Sequence, residues 1–198
     1  MNILIGDESR MQYCHNNKYP IFLPNPITQA AAMPYPLYLS LLGKYFVGYA
    51  DEMEFDNRTL AWAGLVNPIN SGVNLHVHVW TVTNIGQLPL FAEVWFNTNP
   101  PGHPVPSELV TPANTAIRPL PRPKVKLLEA SNVKGKPEGG IKIFERSVDP
   151  EITIAREENG ALIFPPGGSL IITLSYPEAI DETGLGRVAF GWSEQEIK

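Results

Sequence analysis

Apolar and polar residues alternate with a period of two along much of the chain. Residues 73–83 set Val73, Leu75, Val77, Val79 and Thr81 on one face, and Asn74, His76, His78, Trp80 and Val82 on the other. Successive side chains of a strand point to opposite faces, so this spacing predicts a β-strand with one buried side. Residues 88–96 repeat the pattern, with Leu88, Leu90, Ala92, Val94 and Phe96 against Pro89, Phe91, Glu93 and Trp95. Asn84-Ile85-Gly86-Gln87 between them is a connection of hairpin size. Pairing the two runs as a hairpin sets Trp80 opposite Phe91, His78 opposite Glu93 and His76 opposite Trp95.

Further strands are expected over 37–50, 60–66, 124–128, 141–146, 151–155, 161–164, 169–176 and 186–193. The acidic segment 51–58 reads as a solvated turn. No segment sustains a helical period, although residues 28–33 have room for one turn. About nine or ten short strands separated by turn residues define an all-β fold, a β-sandwich or jelly roll. One such domain accounts for residues 37–198.

Composition refines this picture in two places. The 198 residues include 20 prolines and 16 glycines, which argues against an all-α protein. Five of the prolines fall in residues 1–36 and nine in residues 98–139. The first segment therefore reads as an extended N-terminal arm. The second reads as a surface loop holding at most short strands, near 114–118 and 124–128.

Net charge is −5 and the pI about 5.4, which disfavours a nucleic-acid phosphate backbone as partner. The single cysteine, Cys14, rules out a disulfide within the chain and leaves only an intermolecular one. No apolar run approaches the roughly 18 residues of a membrane span. The start, MNILIGDESR, lacks the apolar core of a secretory signal, so synthesis in the cytoplasm is expected.

Candidate chemistry is sparse. His76 and His78, at i and i+2 on a strand, share a face, as metal ligands of cupins do. Gly72 precedes them, but the glutamate expected about four residues after the second histidine is missing. They remain weak metal candidates, and no cofactor is expected. No Gly-x-Ser-x-Gly elbow occurs. Gly139-Gly140 and Gly167-Gly168 lack phosphate-loop spacing. The aromatic residues Trp80, Phe91 and Trp95 on the nominally polar face are more informative, because such a face is seldom left bare to water. Its cover could be the same domain, the arm or another subunit. An aromatic platform for polysaccharide is a further option.

YFVGYADEMEF (45–55), LVNPINSGVNLHVHVWTVTN (65–84), PPG (100–102), PPGGSLIITL (165–174) and VAFGWSEQEI (188–197) carry a resemblance. Over roughly 37–198 the chain resembles an uncharacterised family of small β proteins from spore-forming Gram-positive bacteria. That resemblance implies no catalytic residues. In architecture the chain is similar to subunits of spore-surface appendages and coats, which implies deposition on a spore surface. Such subunits often cross-link through paired cysteines, and this chain has only Cys14.

The leading expectation is a non-enzymatic, self-assembling subunit, a homo-oligomer or filament that forms by arm or strand exchange. Ile3, Ile5, Ile21 and Leu23 would fill grooves on a neighbouring subunit. Trp80, Phe91 and Trp95 would lie in the interface, and Cys14 could cross-link there. The alternatives are a carbohydrate-binding β-sandwich module and a cupin-like metal-dependent enzyme using His76 and His78.

Overall fold

A computed structural model describes residues 33–177 and 181–197. A short helix, α1 (Tyr35–Leu41), precedes eleven strands. These are β1 (Tyr45–Phe55), β2 (Leu60–Val66), β3 (Val73–Asn84), β4 (Leu90–Phe96), β5 (Val105–Pro106) and β6 (Val110–Pro112), followed by β7 (Lys126–Val133), β8 (Ile141–Val148), β9 (Thr153–Phe164), β10 (Ser169–Ser175) and β11 (Gly184–Glu196). They form two antiparallel sheets, a first in the order β6-β1-β11-β3-β9 and a second in the order β5-β7-β2-β10-β4-β8.

Among the described residues, no strand is hydrogen-bonded to the one that follows it in the chain. Taken alone, β1–β4 and β8–β11 give the orders β1-β11-β3-β9 and β2-β10-β4-β8, which is the winding of a jelly roll. β5, β6 and β7 all come from the connection between β4 and β8. They extend both sheets on the side of β1 and β2.

This winding overturns the expected hairpin. β3 lies in the first sheet beside β11 and β9, and β4 lies in the second beside β10 and β8. The same alternation serves both arrangements, because each strand buries one apolar face. Here those faces meet across the core. Asn84 makes the corner between them: its side-chain amide donates to the carbonyls of Leu88 and Val148, and its Oδ1 accepts from the Gly86 amide.

The phase along β3 differs from the simple alternation as well. Val77 pairs with Trp192 and Val79 with Gly191, so His78 is an extra residue in a β-bulge. Val73, Leu75 and Val77 face the core before it, and Trp80 and Val82 after it, while Val79 and Thr81 turn outward. On β9, across from His78, Asn159 and Gly160 take left-handed backbone angles, φ +51° and +77°. The expected strands 151–155 and 161–164 are therefore one strand with a bulge.

Three further expectations change. The apolar run 37–50 splits into α1 and the start of β1, separated by Gly43 at φ +68°. Lys44 N–H returns to the Leu39 carbonyl and closes the helix end. The acidic segment 51–58 is a turn only from residue 56, because Met53 and Phe55 are buried and carry β1 onward past a bulge at Asp51-Glu52. Within 98–139, residues 114–118 form no strand, whereas β7 is a full strand between β5 and β2. The carboxylate of Glu194 on β11 accepts from the Lys124 and Val125 amides and holds the chain where it enters β7.

The main core lies between the sheets, with Phe55, Leu75, Leu90, Leu170, Ile172, Leu174 and Trp192 fully buried. A second, smaller apolar cluster of Leu60, Trp62, Ala130 and Ile171 lies on the outer face of the second sheet. The proline-rich segment folds over it. Trp62 Nε1 donates to the Pro101 carbonyl at 2.8 Å, and Gly102 sits against Val133 where a Cβ would come within 2.4 Å.

Candidate functional site

The two histidines both lie against Gly160, but each is taken up by its own hydrogen bonds. His76 faces outward, with Nδ1 3.3 Å from the Gly160 carbonyl and Nε2 3.1 Å from Gln195 Oε1. His78 is buried, with Nε2 2.9 Å from Ser193 Oγ and its ring 5.0 Å from that of Tyr45. Burial, and secondarily the charge of His76, holds the His78 pKa below its ordinary value. Among the described residues, no three His, Cys, Asp or Glu side chains come together as a metal site. His78 stays beside His76, its ring against Ser193, Tyr45 and Gly160, but no third ligand joins the pair among the described residues. Ser193 and His78 are hydrogen-bonded like a nucleophile and its base, but both are buried and His78 Nδ1 has no partner among the described residues to orient the ring.

The expected three-residue aromatic platform is likewise divided. Trp80 belongs to the core between the sheets, and its Nε1 donates to Glu158. Phe91 and Trp95 remain together, on the outer face of β4 with Glu93 between them. Trp95 packs against the Trp62 cluster. The cover over this face therefore comes, at least over Trp62, from the proline-rich segment of the same domain. Ile3, Ile5, Cys14, Ile21 and Leu23 lie outside the described residues.

Beside Trp95, a groove with a cavity volume of about 480 Å³ crosses the outer face of the second sheet. Neighbouring strands build its floor. β4 pairs with β10 so that Glu93 lies across from Thr173 and Trp95 across from Ile171. The turn between β1 and β2 contributes Arg58 to the lining, and the β7–β8 connection contributes Lys136. Both oxygens of Glu93 are engaged: one accepts from Lys142 Nζ at 2.9 Å, the other from Trp95 Nε1 at 3.1 Å and, more weakly, from Thr173 Oγ1. Lys142 also meets Glu145 at 2.6 Å. These carboxylates, the hydrogen bonds to them first, raise the Lys142 pKa. Sequence reading had Trp95 and Glu93 as neighbours on a face. It did not bring in Arg58, Lys136, Lys142 or Thr173, which arrive from three other parts of the chain.

The sheet edges form the other notable feature. On one flank, the terminal strands are β5 and β6, only two and three residues long. Pro106 and Pro112 within them have no amide to offer another strand. On the opposite flank, the terminal strands are β8, of eight residues, and β9, of twelve, and neither pairs on its outer side with another described strand. Arg146 of β8 and Arg156 of β9 both stack over Phe144, at 5.8 and 5.6 Å, and close the gap between the sheets there.

These features define a jelly-roll β-sandwich with one proline-capped flank, one flank with no partner among the described residues, and a polar groove on an outer face. The chain belongs to a family of unknown function, DUF6143, whose profile matches residues 22–198. No curated protein and no solved structure matches the chain. No helix among the described residues is long and apolar enough to cross a membrane.

Proposed function

We propose that this chain is a non-catalytic building block that associates with copies of itself by strand addition. The unequal protection of the sheet edges carries this reading. An uncovered edge offers a row of unpaired amides and carbonyls, and proteins that must stay monomeric blunt it. Proline and very short strands blunt one flank of this sandwich; among the described residues, β8 and β9 have no partner on the other, over eight and twelve residues. A segment from a second copy that pairs along β8 gains main-chain hydrogen bonds without a deep pocket. Residues 1–36 supply a candidate donor, with Ile3 and Ile5, or Ile21 and Leu23, at alternating positions. The exposed apolar side chains of α1, among them Leu37, Tyr38 and Leu41, offer further surface for a neighbour. A head-to-tail contact of this kind produces rings or filaments. A spore surface as the setting is part of this proposal and rests on the resemblance alone.

Light scattering and negative-stain microscopy of the full chain test it. Ordered particles of high mass are expected. Deleting residues 1–32 should abolish them while circular dichroism still reports a β fold. Ile141→Lys, at an exposed position on β8, should reduce particle mass. A full chain that remains monomeric at high micromolar concentration would sink the reading.

A further inference from the structure

We infer that the groove beside Trp95 binds a saccharide that carries carboxylate groups, a uronic-acid oligomer. The groove combines three chemical elements that such a ligand needs. Its first element is an aromatic surface: Trp95 packs against the Trp62 cluster and also lines the groove, so its indole is held in place before any ligand arrives. Immobilised aromatic side chains suit the apolar faces of sugar rings, and rigidity lowers the entropic cost of binding.

A row of hydrogen-bonding groups along the floor is the second element. Glu93, Thr173 and Lys142 are linked to one another, so each is oriented. Sugar hydroxyls both donate and accept, and a linked carboxylate, hydroxyl and ammonium present both partners. The polar groups of the floor remain partly exposed, with Glu93 and Lys142 side chains 25 % and 39 % accessible.

Positive charge is the third element. The charge of Lys142 is offset within the site by Glu93 and Glu145. Arg58 and Lys136, from the β1–β2 turn and the β7–β8 connection, have no ion-pair partner among the described residues. Asp56, the acid beside Arg58, is held ionised by the Arg58 amide and the Thr59 hydroxyl and acts on Arg58 without forming an ion pair with it. The groove thus offers two cations outside any ion pair among the described residues, on a chain whose net charge is −5. A neutral sugar would leave them unused, whereas carboxylates spaced along an oligosaccharide would reach both. The cavity volume of about 480 Å³ falls within the range of small-molecule sites.

Titration calorimetry and tryptophan emission on the full chain, with oligogalacturonate and oligoalginate as probes, test the inference. At least one probe should bind and perturb the emission. Its methyl-esterified form, with the same rings and no charge, should bind about tenfold more weakly, the value of one charge-assisted hydrogen bond. Arg58→Ala with Lys136→Ala, both outside the core, should weaken the acidic probe to a similar degree and leave the ester unchanged. Failure of both probes to bind would overturn the inference. So would equal binding of acid and ester, or equal binding of polyglutamate, which has the charge without the sugar. The groove shares Lys142 with β8, the edge proposed for strand addition, but particle mass and oligosaccharide binding are read separately, so a monomeric chain that binds the oligosaccharide would sink the assembly reading alone.

Discussion

His78 shows how one residue can redirect a whole strand. As the extra residue of the β3 bulge, it shifts Trp80 into the core and Val79 out of it. Its ring has little spare room: a Cβ on Gly160 would lie 2.9 Å from His78 Cε1, at a backbone angle that already favours glycine. Gly160→Ala is therefore expected to destabilise the fold by about 2 kcal/mol, through strain and overpacking together, which a urea melt would measure. The imidazole also links stability to pH. Its folded pKa is depressed, chiefly by burial, so the unfolded chain takes up the proton first. The stability from this group is complete above the unfolded value near 6.5 and is lost as pH falls from there through the folded pKa. Denaturation midpoints measured between pH 7.5 and 5 should fall, and His78→Gln should flatten that slope. An unchanged slope would mean that the ring is not buried as described.

At the scale of elements, the proline-rich insertion behaves as two different things. Residues 97–125 run over the surface with only the two short strands β5 and β6, whereas β7 is hydrogen-bonded on both sides. Amide exchange should therefore be fast across 113–123, and slow in β7 as in β3 and β10. The insertion is tied down by a few specific contacts, Trp62 Nε1 to Pro101 and Glu194 to the amides at 124 and 125. Trp62→Phe keeps the apolar ring but removes the donor, and leaves the Pro101 carbonyl to find another partner. A loss of about 1–2 kcal/mol is expected, with new protease sensitivity confined to 97–104. Sensitivity spread evenly over the chain would point instead to general loss of the sheet.

For the whole molecule, the jelly-roll winding makes the two sheets interdependent. Every strand is hydrogen-bonded only to strands distant in the sequence, and most connections cross the core. Neither sheet can form from one continuous stretch of chain. Trp192 in the first sheet and Trp62 in the second are both fully buried and should lose protection at the same denaturant concentration. Trp192→Ala, which empties the main core, should cost about 3–5 kcal/mol and shift both transitions together. Separate transitions for β2 and β11, read by exchange mass spectrometry, would show that the sheets fold apart.

The sequence alone determined the class of fold and much of its punctuation. Period-two alternation located β3 and β4, and apolar runs bounded by turn residues located β2, β10 and β11, to within a few residues, because both are local properties. It could not assign partners. The apolar face of β3 is equally satisfied by a hairpin with β4 or by packing across a core, and only the closure of both sheets selects the second. Bulges were hidden for a related reason: at 77–79 the side chains on both faces are apolar or aromatic, so a shift of phase leaves no mark in the pattern. The second bulge, at Asn159-Gly160, falls in the gap between the expected strands 151–155 and 161–164. The groove was legible only as Glu93 beside Trp95. Arg58, Lys136, Lys142 and Thr173 join them through the order of strands in the second sheet. That order depends on pairings between residues dozens of positions apart, and these are settled by the burial of the whole core rather than by any local signal.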